Sequence, residues 1–355
     1  MDVWTWVNHY REEARRAGDA ERVRMTLIQR EAYAYREMEP PRMMAMLQEG
    51  RALAQRRREP WWVLFFEFWR TEAIIHYLGD FTPLLDQAVA TALEARKPLY
   101  DQHPLRFAIY GHLTAAYLYI DPRGYQQEIE TALADLEKML PDIVEERYIF
   151  LGRRCTLAEE LGRLDEAVAI NDRSLALLDG YPNPLHHQIG YHATACRLHQ
   201  RRGDWTALAA CATTGEALAR RKPAKRALAK FLLWRALWSR HEGDEEQARR
   251  LWRSATAQMA RLGAPPGESY YDALCAYHEL GGNLAGALKV RNRHLAELQG
   301  KGMLSTECDA HIKRCRLLAT MGRLGAADLA AARAAAMRLR APAHYLEQIE
   351  NVVRW

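Results

Sequence analysis

The sequence predicts an all-α chain built from about eight helical hairpins, a fold class that rests on three observations. Helix-breaking glycine steps recur about every forty residues. The apolar residues between these steps follow helical spacing, and no segment has the strict alternation typical of a strand. A fixed period of this length indicates a repeat array rather than two unrelated compact domains.

A glycine followed by a polar residue marks the turn of most hairpins. These steps are Gly79-Asp80, Gly162-Arg163, Gly203-Asp204, Gly243-Asp244, Gly282-Asn283 and Gly322-Arg323, with Glu39-Pro40-Pro41 and Pro122-Arg123-Gly124 in the same register. Prolines about twenty residues after successive turns predict where each second helix ends, because proline cannot continue a helix. These are Pro60, Pro98, Pro141, Pro182, Pro223, Pro265 and Pro342, and Gly302 takes the one vacant place.

A small side chain lies seven residues before each turn. The set is Ala32, Ala73, Ala116, Cys155, Cys196, Ala236, Cys275 and Cys315. Small residues let two helix backbones approach closely, and we expect Ala167, Ala248, Ala287 and Ala327 to face them from the second helices. Four of the six cysteines occupy this position, so we interpret them as reduced packing residues.

This combination of a small residue, a Gly-Asp turn, an alanine early in the second helix and a later proline resembles the tetratricopeptide (TPR) repeat family. Cys196, Gly203-Asp204-Trp205 and Pro223 hold these places in one unit, apart from the alanine, and Ala236, Gly243-Asp244, Ala248 and Pro265 hold all of them in the next. The units are about forty residues long instead of about thirty-four, so longer helices or connectors are expected. The resemblance implies a right-handed α-solenoid of about eight TPR-like hairpins whose first helices line a concave ligand-binding face.

We expect residues 1–355 to form a single superhelical domain. Residues 1–20 are predicted to form a capping helix, 21–341 the hairpins and 342–355 a closing helix, because terminal repeats must be shielded from solvent. Contact between two copies of the chain, giving a homo-oligomer, is the alternative use of the apolar stripes in these end helices.

Composition excludes several classes of protein. An apolar content of 49% suffices for a continuous core, while the lack of a long apolar run or a basic leader predicts a cytoplasmic chain with no membrane partner. A net charge of +5 over 355 residues gives little support for a nucleic-acid partner. Basic clusters such as Arg56-Arg57-Arg58 precede helix-ending prolines, where cations complement the helix dipole.

No motif for catalysis or for a cofactor is present, so we predict no catalytic residues and no cofactor. A less favoured alternative is an enzyme whose active site follows no recognisable sequence motif. His192, Cys196 and His199 share one helix face with side chains that suit zinc. His311 and Cys315 repeat the first two positions, and no fourth ligand can be identified. We therefore favour packing and predict no bound metal.

The stripe of the first helices beside the small residues is predicted to line the concave face. In successive units it comprises Thr26, Gln29, Tyr33, Arg36; Glu67, Arg70, Ile74, Tyr77; Tyr110, Leu113, Tyr117, Ile120; Ile149, Gly152, Thr156, Glu159; Gly190, Ala193, Arg197, Gln200; Lys230, Leu233, Leu237, Arg240; Ser269, Asp272, Ala276, Glu279; and Asp309, Ile312, Arg316, Ala319.

Tyrosine and arginine dominate interface energetics, which selects the candidate partner-binding residues on this stripe. They are Tyr33, Arg70, Tyr77, Tyr110 and Tyr117, with Arg197 and Arg240 as anion contacts. Trp61 and Trp62 open a run of six aromatics in nine residues, which marks either a partner surface or packing against the N-terminal helices. We predict a non-catalytic scaffold that binds a protein or peptide on its concave face. The alternative is a regulator that responds to a ligand or signal peptide.

Overall fold

The computed structural model describes residues 2–140, 142–182, 184–222 and 224–354, and this part of the chain contains eighteen α-helices and no strand. The helices are α1 (Val3–Arg16), α2 (Ala20–Tyr33), α3 (Pro40–Arg56), α4 (Pro60–Ala73), α5 (Leu84–Ala95), α6 (Arg106–Ile120), α7 (Gln126–Met139), α8 (Val144–Glu160), α9 (Leu164–Ala176), α10 (Leu185–Arg202), α11 (Trp205–Arg221), α12 (Lys225–His241), α13 (Glu245–Met259), α14 (Glu268–Leu280), α15 (Leu284–Leu298), α16 (Leu304–Thr320), α17 (Ala326–Ala336) and α18 (Ala343–Val353). The all-α prediction is confirmed.

Helices α2 to α17 pair into eight consecutive hairpins, which are numbered one to eight along the chain. A π-helical turn, Ile74–Leu78, continues α4, and a short 3₁₀ turn, Pro98–Tyr100, precedes α6. Helix α1 packs on α2, and α18 packs on α16 and α17. Pro141 and Pro223, two of the prolines predicted to end second helices, lie outside the described residues.

The turn glycines of hairpins two and four to eight adopt left-handed backbone conformations. Their φ angles lie between +65° and +83°, a region that glycine enters without steric cost, so each glycine ends a first helix. In three hairpins the next residue caps the second helix through its side chain, which accepts a backbone N–H at 2.8–3.0 Å. These caps are Asp204, Asp244 and Asn283. The predicted turn steps therefore act as both stop and start signals.

All eight predicted small residues are buried, and in hairpins four and seven the contacts of the cysteine place it at the seam between the two helices. The Cys155 thiol donates to the carbonyl of Ala167 at 3.3 Å, and the Cys275 thiol donates to the carbonyl of Ala287 at 3.6 Å. At this distance the cysteine touches the backbone of the partner helix, where a larger side chain would separate the two helices.

The last hairpin departs from this pattern, and the expectation for Ala327 is wrong. Ala327 is exposed, and the Cys315 thiol donates to the carbonyl of Asp328 at 3.5 Å instead. Helix α17 begins four residues after its turn glycine, Gly322, whereas α9 begins two residues after Gly162. The later start shifts the inward face of α17 by one residue.

At two interfaces between neighbouring hairpins, a phenylalanine of one hairpin lies against a glycine of the other. A Cβ on Gly215 of α11 would lie 2.3 Å from the Phe231 ring of α12, and a Cβ on Gly50 of α3 would lie 2.4 Å from the Phe66 ring of α4. Both phenylalanines are fully buried. The ring therefore occupies the space that any larger residue would need.

Helix α1 covers the aromatic run at the start of α4. The Trp6 ring centroid lies 4.6 Å from that of Trp62 and 6.0 Å from that of Trp61, and Trp4 lies 5.9 Å from Trp69. Much of this run is therefore packed as the N-terminal core.

The array winds so tightly that successive windings touch. In the first of three contacts, the carbonyl of Glu37, in the turn of hairpin one, accepts from the backbone N–H groups of Gly263 and Ala264, both at 3.0 Å. These two residues follow α13, the second helix of hairpin six. A Cβ on Gly263 would lie 2.2 Å from the carbonyl oxygen of Met38, so the close approach requires glycine.

The second contact joins hairpins two and seven. The backbone N–H of Phe81 donates to the carbonyl of Lys301 at 2.6 Å, and the Thr82 hydroxyl donates to the carbonyl of Gly300 at 3.2 Å. A Cβ on Gly302 would lie 2.7 Å from the backbone nitrogen of Thr82. Gly302 therefore allows close approach of two windings, in addition to standing where the other units have proline.

The third contact joins hairpins three and eight. The backbone N–H of Arg340 donates to the Asp121 carboxylate at 2.8 Å, and the Arg340 guanidinium pairs with Glu128 at 2.6 Å. Each of the three contacts joins the turn region of one hairpin to the end of the second helix of the hairpin five units later. In the third contact the second helix of the earlier hairpin also takes part. The concave face consequently surrounds a chamber that is still partly open to solvent.

Candidate functional site

The chamber contains a cavity of about 870 Å³. Its wall is formed mainly by the first helices α8, α10, α12, α14 and α16, with α15 and α18. Residues of the predicted stripe that line it are Thr156, Glu159, Arg197, Gln200, Lys230, Ser269, Asp272, Ala276, Glu279, Asp309 and Arg316. The wall is therefore polar and rich in both signs of charge.

A buried carboxylate joins α8 to α10. Glu159, which is 2% exposed, pairs with Arg197 at 2.6 Å and with Arg201 at 3.1 Å. Charge-assisted hydrogen bonds of this kind are stronger than neutral ones, and a buried carboxylate requires them. The Glu159 carboxylate thus fixes two guanidinium groups at the cavity wall.

A second ionic network joins α14, α15 and α16. Lys313 pairs with Asp309 at 2.5 Å and with Asp272 at 2.8 Å, and Arg291 pairs with Asp272 at 2.9 Å. Burial alone would raise the pKa of Asp272, but the two cations hold this pKa below its usual value. These cations are thus neutralised within the wall.

Two further carboxyl groups in the wall have cations near them that offset burial only in part. Burial raises the pKa of Glu160 to about 8, with added repulsion from Glu268 and Glu159. Burial also raises the pKa of Glu268, against the attraction of Lys313, whose ammonium lies 3.5 Å away. Near neutral pH these groups hold protons that ordinary glutamates release.

Glu160→Gln is expected to stabilise the protein at alkaline pH. The folded-state pKa of Glu160 lies above its unfolded value, so between about pH 4.5 and pH 8 the folded state binds the extra proton and stability falls as pH rises. Glutamine does not ionise and so avoids this loss. Relative to wild type, the free energy of unfolding should rise by at least about 1 kcal/mol above pH 8 and change little below pH 5. Unfolding midpoints across this range measure it, with the exposed Glu246→Gln as control. A pH-independent difference between Glu160→Gln and wild type would contradict the shift.

Of the nine residues predicted as partner contacts, Arg197 alone is found among the described residues that line the cavity. Tyr33 and Tyr77 lie together in the first winding, with their hydroxyl oxygens 3.0 Å apart, and Tyr77 is buried. Arg70 pairs with Glu67 at 2.7 Å. These three residues therefore take part in local packing or pairing.

The remaining candidates also contact their neighbours. Tyr117 stacks on Tyr125 with centroids 4.8 Å apart, and Tyr110 is half-buried against the N-terminal core. Arg240 of α12 lies 3.8 Å above the Tyr277 ring and donates to the Tyr277 carbonyl at 2.8 Å, which joins hairpins six and seven.

The two tryptophans differ in exposure. Trp61 is half-buried, and its indole N–H donates to the carbonyl of Leu99 at 2.9 Å. Trp62 is 1% exposed, so a partner reaches it only if α1 moves away.

The predicted stripe missed several residues of the wall that follow it directly in sequence. Glu160, Arg201 and Lys313 each come one residue after a stripe position and also line the cavity. Tight winding turns a wider arc of each first helix inward than an open groove would. The signal available in the sequence was the charge of these adjacent positions.

The described residues contain no group of three or more His, Cys, Asp or Glu side chains arranged to hold a metal ion. None of the helices in the described ranges combines the length and apolar character needed to span a membrane.

No family model matches the sequence, and no curated protein is found to be similar to it. Among solved structures, one match is a tetratricopeptide repeat protein from Parabacteroides merdae. The two are 13% identical with a TM-score of 0.43, and the match covers 75% of this chain and 92% of that one. The TPR-like description of this chain rests on its own eight hairpins, turn glycines and small-residue seam.

Proposed function

We propose that this chain is a non-catalytic binding protein that holds a short polar peptide segment in its interior. The observation that carries the proposal is the cavity of about 870 Å³, which lies in the range typical of specific ligand sites. A cavity of this size suits a short segment better than a folded domain.

The chemistry of the wall supports a peptide. Neutral groups of the kind that pair with a peptide backbone lie between ionic groups of both signs. The Ser269 hydroxyl is a donor and an acceptor, the Gln200 amide keeps its N–H donors while its oxygen accepts from Trp234, and the Thr156 hydroxyl oxygen is an acceptor while its O–H donates to Gly152. An extended peptide exposes unpaired N–H and C=O groups, and these need such partners when they leave water.

Several properties of the wall favour binding over catalysis. Cys275 is the thiol at the cavity, and burial raises its pKa to about 11, which keeps it in the unreactive protonated form. Its thiol is engaged by the backbone of α15. The carboxylates Glu159 and Asp272 are held in salt bridges, so neither is available as a base.

A regulatory role for the same binding is favoured by one residue that serves both the cavity and a winding contact. Arg226 lines the cavity and donates to the carbonyl of His76 at 2.7 Å and to that of Pro265 at 3.4 Å. These carbonyls belong to different windings. A ligand that binds Arg226 would therefore shift the equilibrium between the open and the closed superhelix. The size of the shift depends on how much more tightly the ligand binds the closed state.

Ala276→Trp is expected to block peptide binding by filling the cavity. Ala276 lies on α14 at the wall, and an indole group there occupies much of the space a peptide would use. Short peptides selected from a random displayed library on the wild-type protein should lose at least tenfold in affinity for this variant, measured by calorimetric titration.

Ala257→Trp on the exposed face of α13 is the matched control and should retain wild-type affinity. Equal binding of the selected peptides to Ala276→Trp would place their site outside the chamber. Failure of the wild-type protein to select any peptide would remove the proposal.

A further inference from the structure

Most cations at the cavity wall pair with carboxylates of the protein, although Glu159 alone is shared by two arginines and leaves one positive charge there. Arg197 and Arg201 pair with Glu159, Lys313 pairs with three carboxylates, and Arg291 pairs with Asp272. Lys230 differs from them. Among the described residues its ammonium forms no hydrogen bond and no salt bridge, and its half-buried side chain lies at the cavity wall.

The charged groups that act on the pKa of Lys230 are themselves cations. Burial, with added repulsion from Arg226 and Arg197, lowers the pKa of Lys230 to about 7. Arg226 lies one turn before Lys230 on α12, and Arg197 projects from the neighbouring α10. All three line the cavity, so a region of concentrated positive charge faces this space.

The N-terminal turn of α14 meets Lys230 at the same place. A Cβ built on Gly267, the residue before α14, would lie 3.6 Å from the Lys230 ammonium nitrogen. Gly267, Glu268 and Ser269 all line the cavity, and Gly267 brings no side chain to cap the helix. The first N–H groups of a helix lack intrahelical acceptors and carry the positive end of the helix dipole.

We propose that Lys230, with Arg197 and the N-terminal turn of α14, binds an oxyanion of the ligand, a carboxylate or a phosphoryl group. An anion here gives Lys230 the partner that the protein does not provide, and it accepts hydrogen bonds from free backbone N–H groups. The proposal rests on the chamber being the ligand site, and it adds that the bound ligand is negatively charged at this point.

Neighbouring carboxyl groups do not occupy this position. Glu268 is directed to Lys313, whose ammonium lies 3.5 Å from its carboxyl oxygen. Burial raises the pKa of both groups, so near neutral pH Glu160 is largely neutral and Glu268 partly so, and they repel an incoming anion less than fully ionised carboxylates would.

The test titrates inorganic phosphate and, separately, acetate into the full chain at constant ionic strength near pH 6.5, with chloride as reference and calorimetry as readout. Wild-type protein is expected to bind at least one of the two oxyanions beyond the chloride reference. Phosphate alone indicates a phosphoryl ligand, and acetate alone or both indicate a carboxylate-compatible site.

Lys230→Met keeps the length of the side chain and removes its charge, so affinity for the bound oxyanion should fall at least tenfold. The variant is expected to fold, with a melting temperature equal to or above that of wild type, because it removes a half-buried cation that is surrounded by like charges. Lys289→Met, at an exposed lysine of α15, is the matched control and should bind as wild type does.

Two results would overturn the oxyanion site: wild-type protein with no response beyond chloride, or Lys230→Met with unchanged affinity. Peptides selected on the wild type separate this failure from failure of the proposed function. If they lose affinity for Ala276→Trp while no oxyanion binds, the chamber is a peptide site and the oxyanion inference alone is wrong.

Discussion

Phe231→Ala is expected to lower the free energy of unfolding by about 3–5 kcal/mol, the usual cost of removing a buried aromatic ring. Phe231 is fully buried between hairpins five and six, and its ring lies against Gly215, where no side chain can move in to fill the space. Denaturant unfolding followed by circular dichroism measures the loss. Leu93→Ala, at a side chain that is 55% exposed, should change stability by less than about 0.5 kcal/mol.

A second substitution identifies the ring-to-glycine contact as the cause. In the wild-type background Gly215→Ala should destabilise by about 1–3 kcal/mol, because the new methyl group would lie 2.3 Å from the Phe231 ring. In the Phe231→Ala background the same change should stabilise by up to about 1 kcal/mol, since the space is empty and alanine favours helix. If Gly215→Ala changed the free energy of unfolding in the same direction in both backgrounds, the proposed contact between Gly215 and the Phe231 ring would be contradicted.

Gly263→Ala is expected to open the contact between hairpins one and six. The added methyl group would lie 2.2 Å from the Met38 carbonyl oxygen, which is backbone and cannot swing away. The two hydrogen bonds to the Glu37 carbonyl should be lost with it. We expect a larger radius of gyration in small-angle scattering, a stability loss of about 1–3 kcal/mol and weaker binding of chamber ligands.

Gly152→Ala is the control for this opening. Gly152 lies in α8 with no neighbouring atom near the position of a Cβ, so the change should leave the scattering profile unchanged and stability equal or slightly higher. A Gly263→Ala protein with wild-type dimensions and stability would mean that the windings do not touch at this point in solution.

The repeat itself could be predicted from the sequence because its signals are local. A left-handed glycine such as Gly203 and a capping Asp204 act within a few residues, and the seam at Cys196 repeats with the same phase. The prediction of Ala327 was wrong because it assumed constant phase through Gly322, where α17 begins late.

The closure of the superhelix could not be predicted in this way. The small rotation between neighbouring hairpins adds up over five units, and no local pattern reveals the sum. The contact of Arg340 with Asp121 spans more than two hundred residues of sequence. Gly263 and Gly302, which stand outside the turn positions, were the available hints of close backbone approach.

The candidate site was predicted only in part, because some of its features depend on local helical phase and others on the packing of distant helices. The stripe placed Arg197, Asp272 and Lys230 on the inner face, because helical phase alone decides that. Which cations find partners there depends on distances between helices, so the sequence does not reveal that Lys313 has carboxylate partners and that Lys230 has cations around it.

The spacing of the winding contacts also changes how the chain comes apart. A helical array held only by sequential neighbours behaves as a one-dimensional system and frays from its ends. Here hairpins one, two and three are tied to six, seven and eight, so loosening either terminus disrupts contacts made by the other. Hairpins four and five have no counterpart in these three contacts. They connect hairpins one to three with hairpins six to eight, which are bound to each other by these contacts. If the contacts broke and the superhelix opened, the chain would bend at hairpins four and five.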